Sequence, residues 1–292
     1  MILFVHLGGL GDVCLSESLF LSLSHYFREV VAVGHKRYLE LFDCYFSSVE
    51  SIEERKWLYL FGLGDGPSYE RIVLVGKDRS GEFRARLQRF SRLPLIFIDM
   101  YPDFPMHVED YQLLRLSEYG IPSKKKEIPL RRANRVIIYP EIGLRKSKWP
   151  IENFVTVYKG LKERGIEVVF LLPVERDLSL PDSLFFQDLN DVKRFLEGGG
   201  IFLSNDCGLA HLASVCGLFS ITIFLDQDKN VWHPRGSNLS LYGQDLKAQD
   251  VAEMVLRNYA LMVGGEYDGD HLQACKGNIS KKAEGPWTLR GR

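Results

Sequence analysis

A glycine-rich run, Gly8-Gly9-Leu10-Gly11-Asp12, follows directly on an apolar stretch at residues 2–7. Glycines at a strand exit let a ligand approach the backbone closely, and the N-terminus of a following helix favours an anion. A tight turn with Asp12 capping the helix would use the same residues, so both readings stay open. The spacing is GGLG rather than GxGxxG, and no acid closes the second apolar stretch, Val33-Gly34-His35. Nicotinamide dinucleotide binding is therefore disfavoured. A second segment, Tyr139 to Pro150, delivers Arg145, Lys146 and Lys148 to the start of a helical pattern. Cations there oppose the helix dipole, and a bound phosphate would reverse the sign; side chains pointing into water are the plain alternative.

A third segment runs Ser204-Asn205-Asp206-Cys207-Gly208-Leu209-Ala210-His211. Its backbone N–H groups at Asp206, Cys207 and Gly208 could meet a diphosphate while Asp206 reaches a sugar hydroxyl and His211 stands one turn in. A lone histidine on a helix is more often structural than functional, and Cys207 and Cys216 read as packing residues. The fourth is Phe224 to Lys229, leading to His233-Pro234-Arg235-Gly236. Asp226-Gln227-Asp228 is the nearest spacing to a cation clamp; with no stronger acidic pair at a strand end, no metal site is expected.

These segments need elements to hold them at one place. Apolar runs occur at residues 2–7, 30–33, 71–75 and 94–98, and again at 136–139, 167–172, 201–204 and 220–225. Runs apolar at successive positions suit strands buried on both faces. Helical patterns lie between them at 16–27, 81–91, 108–119 and 150–164. In the last, Pro150 suits a first helical position and Gly165 a C-terminal cap. A closing helix is expected over 251–262 with Asp250 as its cap. Alternation of this kind predicts parallel sheets with right-handed crossovers, whose C-terminal strand ends gather at one crevice. The proline-bearing basic stretch 121–135 marks a break. The expected division is a first domain at 1–125, a basic linker at 126–135, a second domain at 136–262 and a loosely ordered tail at 263–292.

The 292 residues carry 37 basic and 38 acidic side chains and are 46% hydrophobic. That balance argues against a nucleic-acid binder, and the first residues lack the charge pattern of an export signal. Five cysteines without a CxxC pair suggest a reduced, cytoplasmic protein. Lys77, Arg79, Arg84, Arg86, Arg89 and Arg92 crowd the first half, while Lys124–Lys126, Arg131, Arg132 and Arg135 crowd the linker. Such patches would draw an anionic glycan or membrane leaflet, or are simply solvated faces.

Taken together, the four segments resemble glycosyltransferase family 9, the bacterial heptosyltransferases of lipopolysaccharide core synthesis. The family's LxxLGDVxxTxP stretch is matched by Leu7 to Ser18, with Ser16 and Ser18 in place of its Thr and Pro. Its HPG…KxWP segment is matched by Tyr139-Pro140 to Trp149-Pro150, with Ser147 at the lysine position between Lys146 and Lys148. Its DTGxxH segment is matched by Asp206 to His211. FGxTDP…GPRG is matched by Phe224 to Asp228 and His233 to Gly236, with Leu225 and Gln227 replacing Gly and Thr.

The resemblance implies a GT-B fold: two Rossmann-like α/β domains with parallel sheets facing each other across a cleft. It implies inverting transfer of a sugar, heptose from ADP-heptose, to a lipid-linked glycan acceptor near the inner membrane, without cofactor or metal. Asp12 would be the base and Lys146 or Lys148 the cation for the leaving phosphate. Gly8, Gly9, Gly11, Glu175, Asp206, Cys207, Gly208, His211 and Asp228 would hold substrate. The alternatives are a relative using another nucleotide sugar and a catalytically silent nucleotide-sugar-binding protein.

Overall fold

The computed structural model describes residues 1–102, 104–140, 148–172 and 180–264. Lys146, Glu175 and all but the first two residues of the tail expected at 263–292 lie outside the described residues.

The first half contains β1 (Ile2–His6), α1 (Leu10–Leu15), α2 (Glu17–Tyr26), β2 (Val30–Gly34), α3 (Lys36–Leu39), β3 (Ser48–Ser51), β4 (Arg71–Gly76), α4 (Glu82–Gln88), β5 (Ile96–Asp99) and α5 (Val108–Glu118). Its sheet is parallel throughout, in the order β3-β2-β1-β4-β5. The second half contains β6 (Arg135–Tyr139), α6 (Ile151–Lys162), β7 (Glu167–Leu172), β8 (Ser183–Phe185), α7 (Leu189–Leu196) and β9 (Ile201–Asn205). It continues with α8 (Gly208–Val215), β10 (Phe219–Phe224), α9 (Lys229–Trp232), β11 (Asn238–Tyr242) and α10 (Ala248–Val263). The order there is β11-β10-β9-β6-β7-β8, again parallel. Strands β1 and β9 are buried along their whole length: each opens on a run of apolar residues and closes on buried polar ones, His6 in β1 and Ser204 and Asn205 in β9.

Most expected elements fall within two residues of place, and the differences have local causes. The helix expected at 16–27 is α2, and a further short helix, α1, precedes it. The chain is already helical from Leu10, and a break falls at Ser16, whose hydroxyl bonds back to the Asp12 carbonyl at 2.8 Å. Pro150 is the N-cap of α6 and not its first helical residue; its ψ of 145° is extended. Gly165 does close that helix, at φ 72°, with Ile166 N–H on Leu161 O and Gly165 N–H on Lys162 O. Helix α10 begins earlier than expected. Lys247 is its N-cap and Asp250 lies in its first turn, where a carboxylate still complements the dipole.

The two halves are joined by direct packing. One apolar cluster runs from Phe4, Val13 and Phe20 of the first half into Phe202, Ala210, Leu212 and Ala213 of the second. Its centre is α1 against α8. A Cβ built on Gly208 would lie 3.0 Å from Leu10 Cβ and 3.3 Å from the Gly11 backbone nitrogen. A Cβ on Gly11 would lie 3.0 Å from His211 Cδ2. Two glycines therefore set how closely the halves approach.

The expected linker runs between them without regular structure, and it is stitched to both. Ser22 and Ser18 accept from the N–H groups of Lys124 and Lys126 at 2.8 and 2.9 Å. Arg131 pairs through its backbone with Gly217 and Gly200. Its basic side chains are largely engaged locally: Lys125 with Asp110 at 2.6 Å, Arg131 with the Glu197 carbonyl, and Arg135 with the Phe195 and Gly199 carbonyls.

Gly208→Val would force α1 from α8, because its neighbours are a Cβ and a backbone nitrogen that cannot swing aside. We expect the unfolding free energy to fall by about 1–3 kcal/mol, as for overpacked cores. Urea denaturation measures this; unchanged stability would mean that the helices slide apart freely.

Candidate functional site

In each sheet the strand order reverses once, between β1 and β4 in the first and between β6 and β9 in the second. Chain leaving such neighbouring strands in opposite directions opens a crevice at their carboxyl ends. The residues singled out by sequence lie at these two points.

In the first half the exit of β1 is held by a buried histidine. His6 Nδ1 accepts the Gly8 N–H at 3.2 Å, so its proton resides on Nε2, which faces Ser16 Oγ at 3.1 Å. Burial pushes its pKa down to about 3, with His35 adding repulsion, so the ring is neutral at ordinary pH. Gly8 leaves no room for a side chain: a Cβ would lie 2.5 Å from Asp12 Cβ and 2.6 Å from Met100 Cε. Asp12, third residue of α1, reaches back so that its Oδ2 accepts the Gly9 N–H at 2.9 Å. The capping reading of Asp12 is thus correct as local structure, and it presents the carboxylate at the loop's edge. Gly9 is exposed there and Gly11 half-buried.

In the second half Asn205 does comparable work. It accepts the Trp149 N–H at 3.0 Å and donates to the Pro140 carbonyl at 2.9 Å. It thereby ties together the two sides of the segment that carries Lys146 and Lys148. Trp149 is fixed further by its indole N–H on the Leu246 carbonyl and by an edge contact with Phe154. Lys148, next to Trp149, is consequently held beside the β9 exit, where Cys207 and Gly208 open α8; the Asp206 N–H, expected to be free for a diphosphate, instead donates to the Ile223 carbonyl at 2.9 Å, continuing the sheet pairing. Cys207 is buried and caps that helix; Gly208 and Leu209 begin it. His211 is 5% exposed, with Nε2 3.8 Å from Asp206 Oδ1. Its Nδ1 has no hydrogen-bond partner among the described residues.

Contact of Gly11 with Gly208 and His211 brings these two exits together. Gly8, Gly9, Gly11, Asp12, Asp206, Cys207, Gly208 and His211 form one neighbourhood, with Lys148 beside it. Asp228 stands apart in role: it is exposed and caps α9, accepting the Asn230 N–H at 2.9 Å. Lys146 and Glu175 lie outside the described residues.

Sequence reasoning left two positions without a role. Asn205 stands in the third segment with no role assigned, and the structure makes it the last residue of β9. Arg235 sat in a motif match, but its burial could not be inferred from a polar loop. It is 3% exposed and crosses from the second half into the first. It donates to Glu17 at 2.7 Å, Glu109 at 2.6 Å, Ser18 at 2.9 Å and the Cys14 and Lys126 carbonyls. Beside it His107 and His233 stack at 4.0 Å, and His107 Nε2–H donates to the His233 carbonyl at 2.9 Å. Burial lowers both rings' affinity for protons, that of His107 to a pKa of about 3.

No family model matches the chain, and no curated protein matches it in sequence. Solved structures do match in fold. Heptosyltransferase WaaC of E. coli, solved with ADP, superimposes with a TM-score of 0.65 at 14% identity, covering 88% of this chain and 100% of that one. A family 9 glycosyltransferase of Veillonella parvula gives a TM-score of 0.67 at 13% identity, with 88% and 97% covered. E. coli ADP-heptose lipopolysaccharide heptosyltransferase II gives 0.63 at 15%, with 91% and 100% covered. The chain therefore has the GT-B fold of the heptosyltransferases, as the sequence resemblance implied. No helix among the described residues is long and apolar enough to cross a membrane.

The neutral histidines give a signed pH dependence. His6 and His107 bind protons less readily when folded than the ordinary value of 6.5, so between pH 6.5 and about 3 the unfolded chain holds more protons. Their stabilisation is complete above pH 6.5 and declines as pH falls. The thermal midpoint should drop steadily from pH 7 to pH 4.5, and drop less in His107→Gln, whose amide retains a donor. Scanning calorimetry across that range checks both statements.

Proposed function

We propose that this chain is a glycosyltransferase that moves a sugar from a nucleoside diphosphate donor, ADP-heptose, to a glycan acceptor of the lipopolysaccharide core, with inversion and without a metal. The observation that carries the reading is the apposition of the Asp12 loop to the α8 N-terminus through Gly11, Gly208 and His211. It is supported by the shared fold of proteins solved with ADP and with ADP-2-deoxy-2-fluoro heptose.

The chemistry is one displacement at the anomeric carbon. The acceptor oxygen forms the new bond, the bond to the diphosphate oxygen breaks, and the acceptor proton passes to the Asp12 carboxylate. An alcohol is far too weak an acid to ionise at neutral pH, so a base within hydrogen-bond reach is needed. Asp12 is a weak base, and its contribution depends on being held in place; the Gly9 N–H and the His6–Ser16 chain beneath it provide that hold. The leaving diphosphate gains charge as the bond breaks. The α8 N–H groups, with Lys148 or Lys146, supply the opposing charge, and loss of one such contact commonly costs about 2.7–4 kcal/mol of barrier. His211, with a buried nitrogen awaiting a partner, and Asp206 complete the donor side. Contact of the chain with the membrane face follows from a lipid-linked acceptor and is part of this proposal.

Asp12→Asn tests the base. We expect ADP affinity to stay within about twofold of wild type, since the amide oxygen still accepts from Gly9, while transfer falls at least about 100-fold, the lower range for lost general-base catalysis. Chelator should leave the wild-type rate unchanged. Binding of ADP with no transfer by wild type would favour the catalytically silent alternative, and equal rates for wild type and Asp12→Asn would remove Asp12 from the reaction.

A further inference from the structure

Two histidines meet at the seam between the halves, and the transfer chemistry uses neither. His107 stands directly before α5 of the first half, and His233 directly after α9 of the second. Their rings stack 21° from parallel with centres 4.0 Å apart, which leaves no room for water between them. Each ring gives one N–H to a carbonyl: His107 Nε2–H to His233 at 2.9 Å, and His233 Nδ1–H to Pro234 at 2.9 Å. A further proton would therefore go to His107 Nδ1 or His233 Nε2, making a cation of one member of the stack.

The charges around the stack do little to favour that cation. Helix α5 brings Glu109 and Asp110 toward the rings, the linker brings Lys125, and α8 brings His211. Both acids are already engaged, Glu109 with Arg235 at 2.6 Å and Asp110 with Lys125 at 2.6 Å. Burial is the main reason that both rings bind protons less readily than the ordinary value of 6.5, His107 holding a pKa of about 3. Repulsion adds to it, from His233 at His107 and from His211 at His233. Parted, each ring would meet water and return toward the ordinary value. Acid therefore favours the parted form, by up to about tenfold per pH unit for each ring between its two values.

We propose that the His107–His233 stack is an acid-released catch between the halves: proton uptake by either ring parts them at this seam while each half stays folded, and neutralisation closes them again. This differs from loss of the whole fold in acid, because the strands of both sheets keep their pairing. Parting also takes Asp12 away from the α8 N-terminus; that consequence rests on the transferase reading, whereas the catch does not.

The test reads how often the seam opens, through the thiol of Cys14. That thiol is fully buried on α1, within electrostatic reach of Cys216, Lys193 and Arg235 of the second half. Labelling of the full chain by a dipyridyl disulfide is followed from pH 7.5 to pH 5.0, with the labelled cysteine identified by peptide mass spectrometry. Each rate is divided by that of the chain unfolded in guanidinium at the same pH. Stopping at pH 5.0 stays above the ordinary carboxylate range of about 4. Wild type should label Cys14 at least about 30-fold faster at pH 5.0 than at pH 7.5, the shift that His107 alone supplies. Amides of β4 and β10 should keep their protection from hydrogen exchange over the same range. His107→Phe keeps a ring and His107→Gln keeps a donor, and neither titrates. In both, the ratio of the two rates should be about 30-fold smaller than in wild type. The ratio decides even for a variant whose Cys14 already labels at pH 7.5. Labelling of wild type that ignores pH would overturn the catch, as would equal ratios in wild type and variants. Loss of β4 and β10 protection in step with Cys14 labelling would overturn it too, since the fold and not the seam would then be opening.

Discussion

One buried guanidinium holds the two halves in register. Arg235 leaves the second half and ends among Glu17, Ser18 and Glu109 of the first, nearly out of reach of water. Burying a charge is costly unless it is paired and hydrogen-bonded, and here two carboxylates, a hydroxyl and two carbonyls meet its donors. Removing the arginine would leave two carboxylates facing each other in the interface, a loss of about 3–5 kcal/mol in comparable cases. The same residue orients α2 and α5 through their acids. Helix α1, directly before α2, is thereby held against α8 at the glycine contact.

That contact turns two ordinary Rossmann-like crevices into one site. Each sheet places its switch point at strand carboxyl ends, where loops carry polar groups without disturbing the core. The reaction proposed for this chain needs a group from each crevice. Asp12 belongs to one and the α8 N-terminus to the other. Two internal ties fix the ends of these segments: neutral His6 under Gly8, and Asn205 between Pro140 and Trp149. Both act through the backbone, so the Asp12 loop and the start of α8 inherit their positions from His6 and Asn205.

Strand–helix alternation, the parallel sheets and the glycine loops were legible in the sequence because their causes are local: apolar runs, capping residues and glycines at strand exits. Short edge strands such as β3 and β8 were not. They carry too few apolar residues to stand out, and their pairing partners supply the order. Asn205 and Arg235 were illegible for another reason. Their roles depend on residues 56 and more than 200 positions away, and nothing in a polar loop announces that its arginine is buried. The basic stretch before β6 left two readings open. Its charge density suits an anion-binding surface or a solvated face, and the sequence could not show that Lys125, Arg131 and Arg135 also answer nearby carboxylates and carbonyls.

The dependence of the whole arrangement on Arg235 can be measured as a distance. Spin labels placed at cysteines substituted for exposed Arg28 and Gln249, in a background with Cys44 and Cys275 replaced by serine, report the separation of the halves by pulsed electron resonance. Wild type should give one narrow distribution, and Arg235→Met a broader one shifted to longer distances, with each half still folded by circular dichroism. An Arg235→Met distribution identical to that of wild type would contradict the central role assigned to this residue.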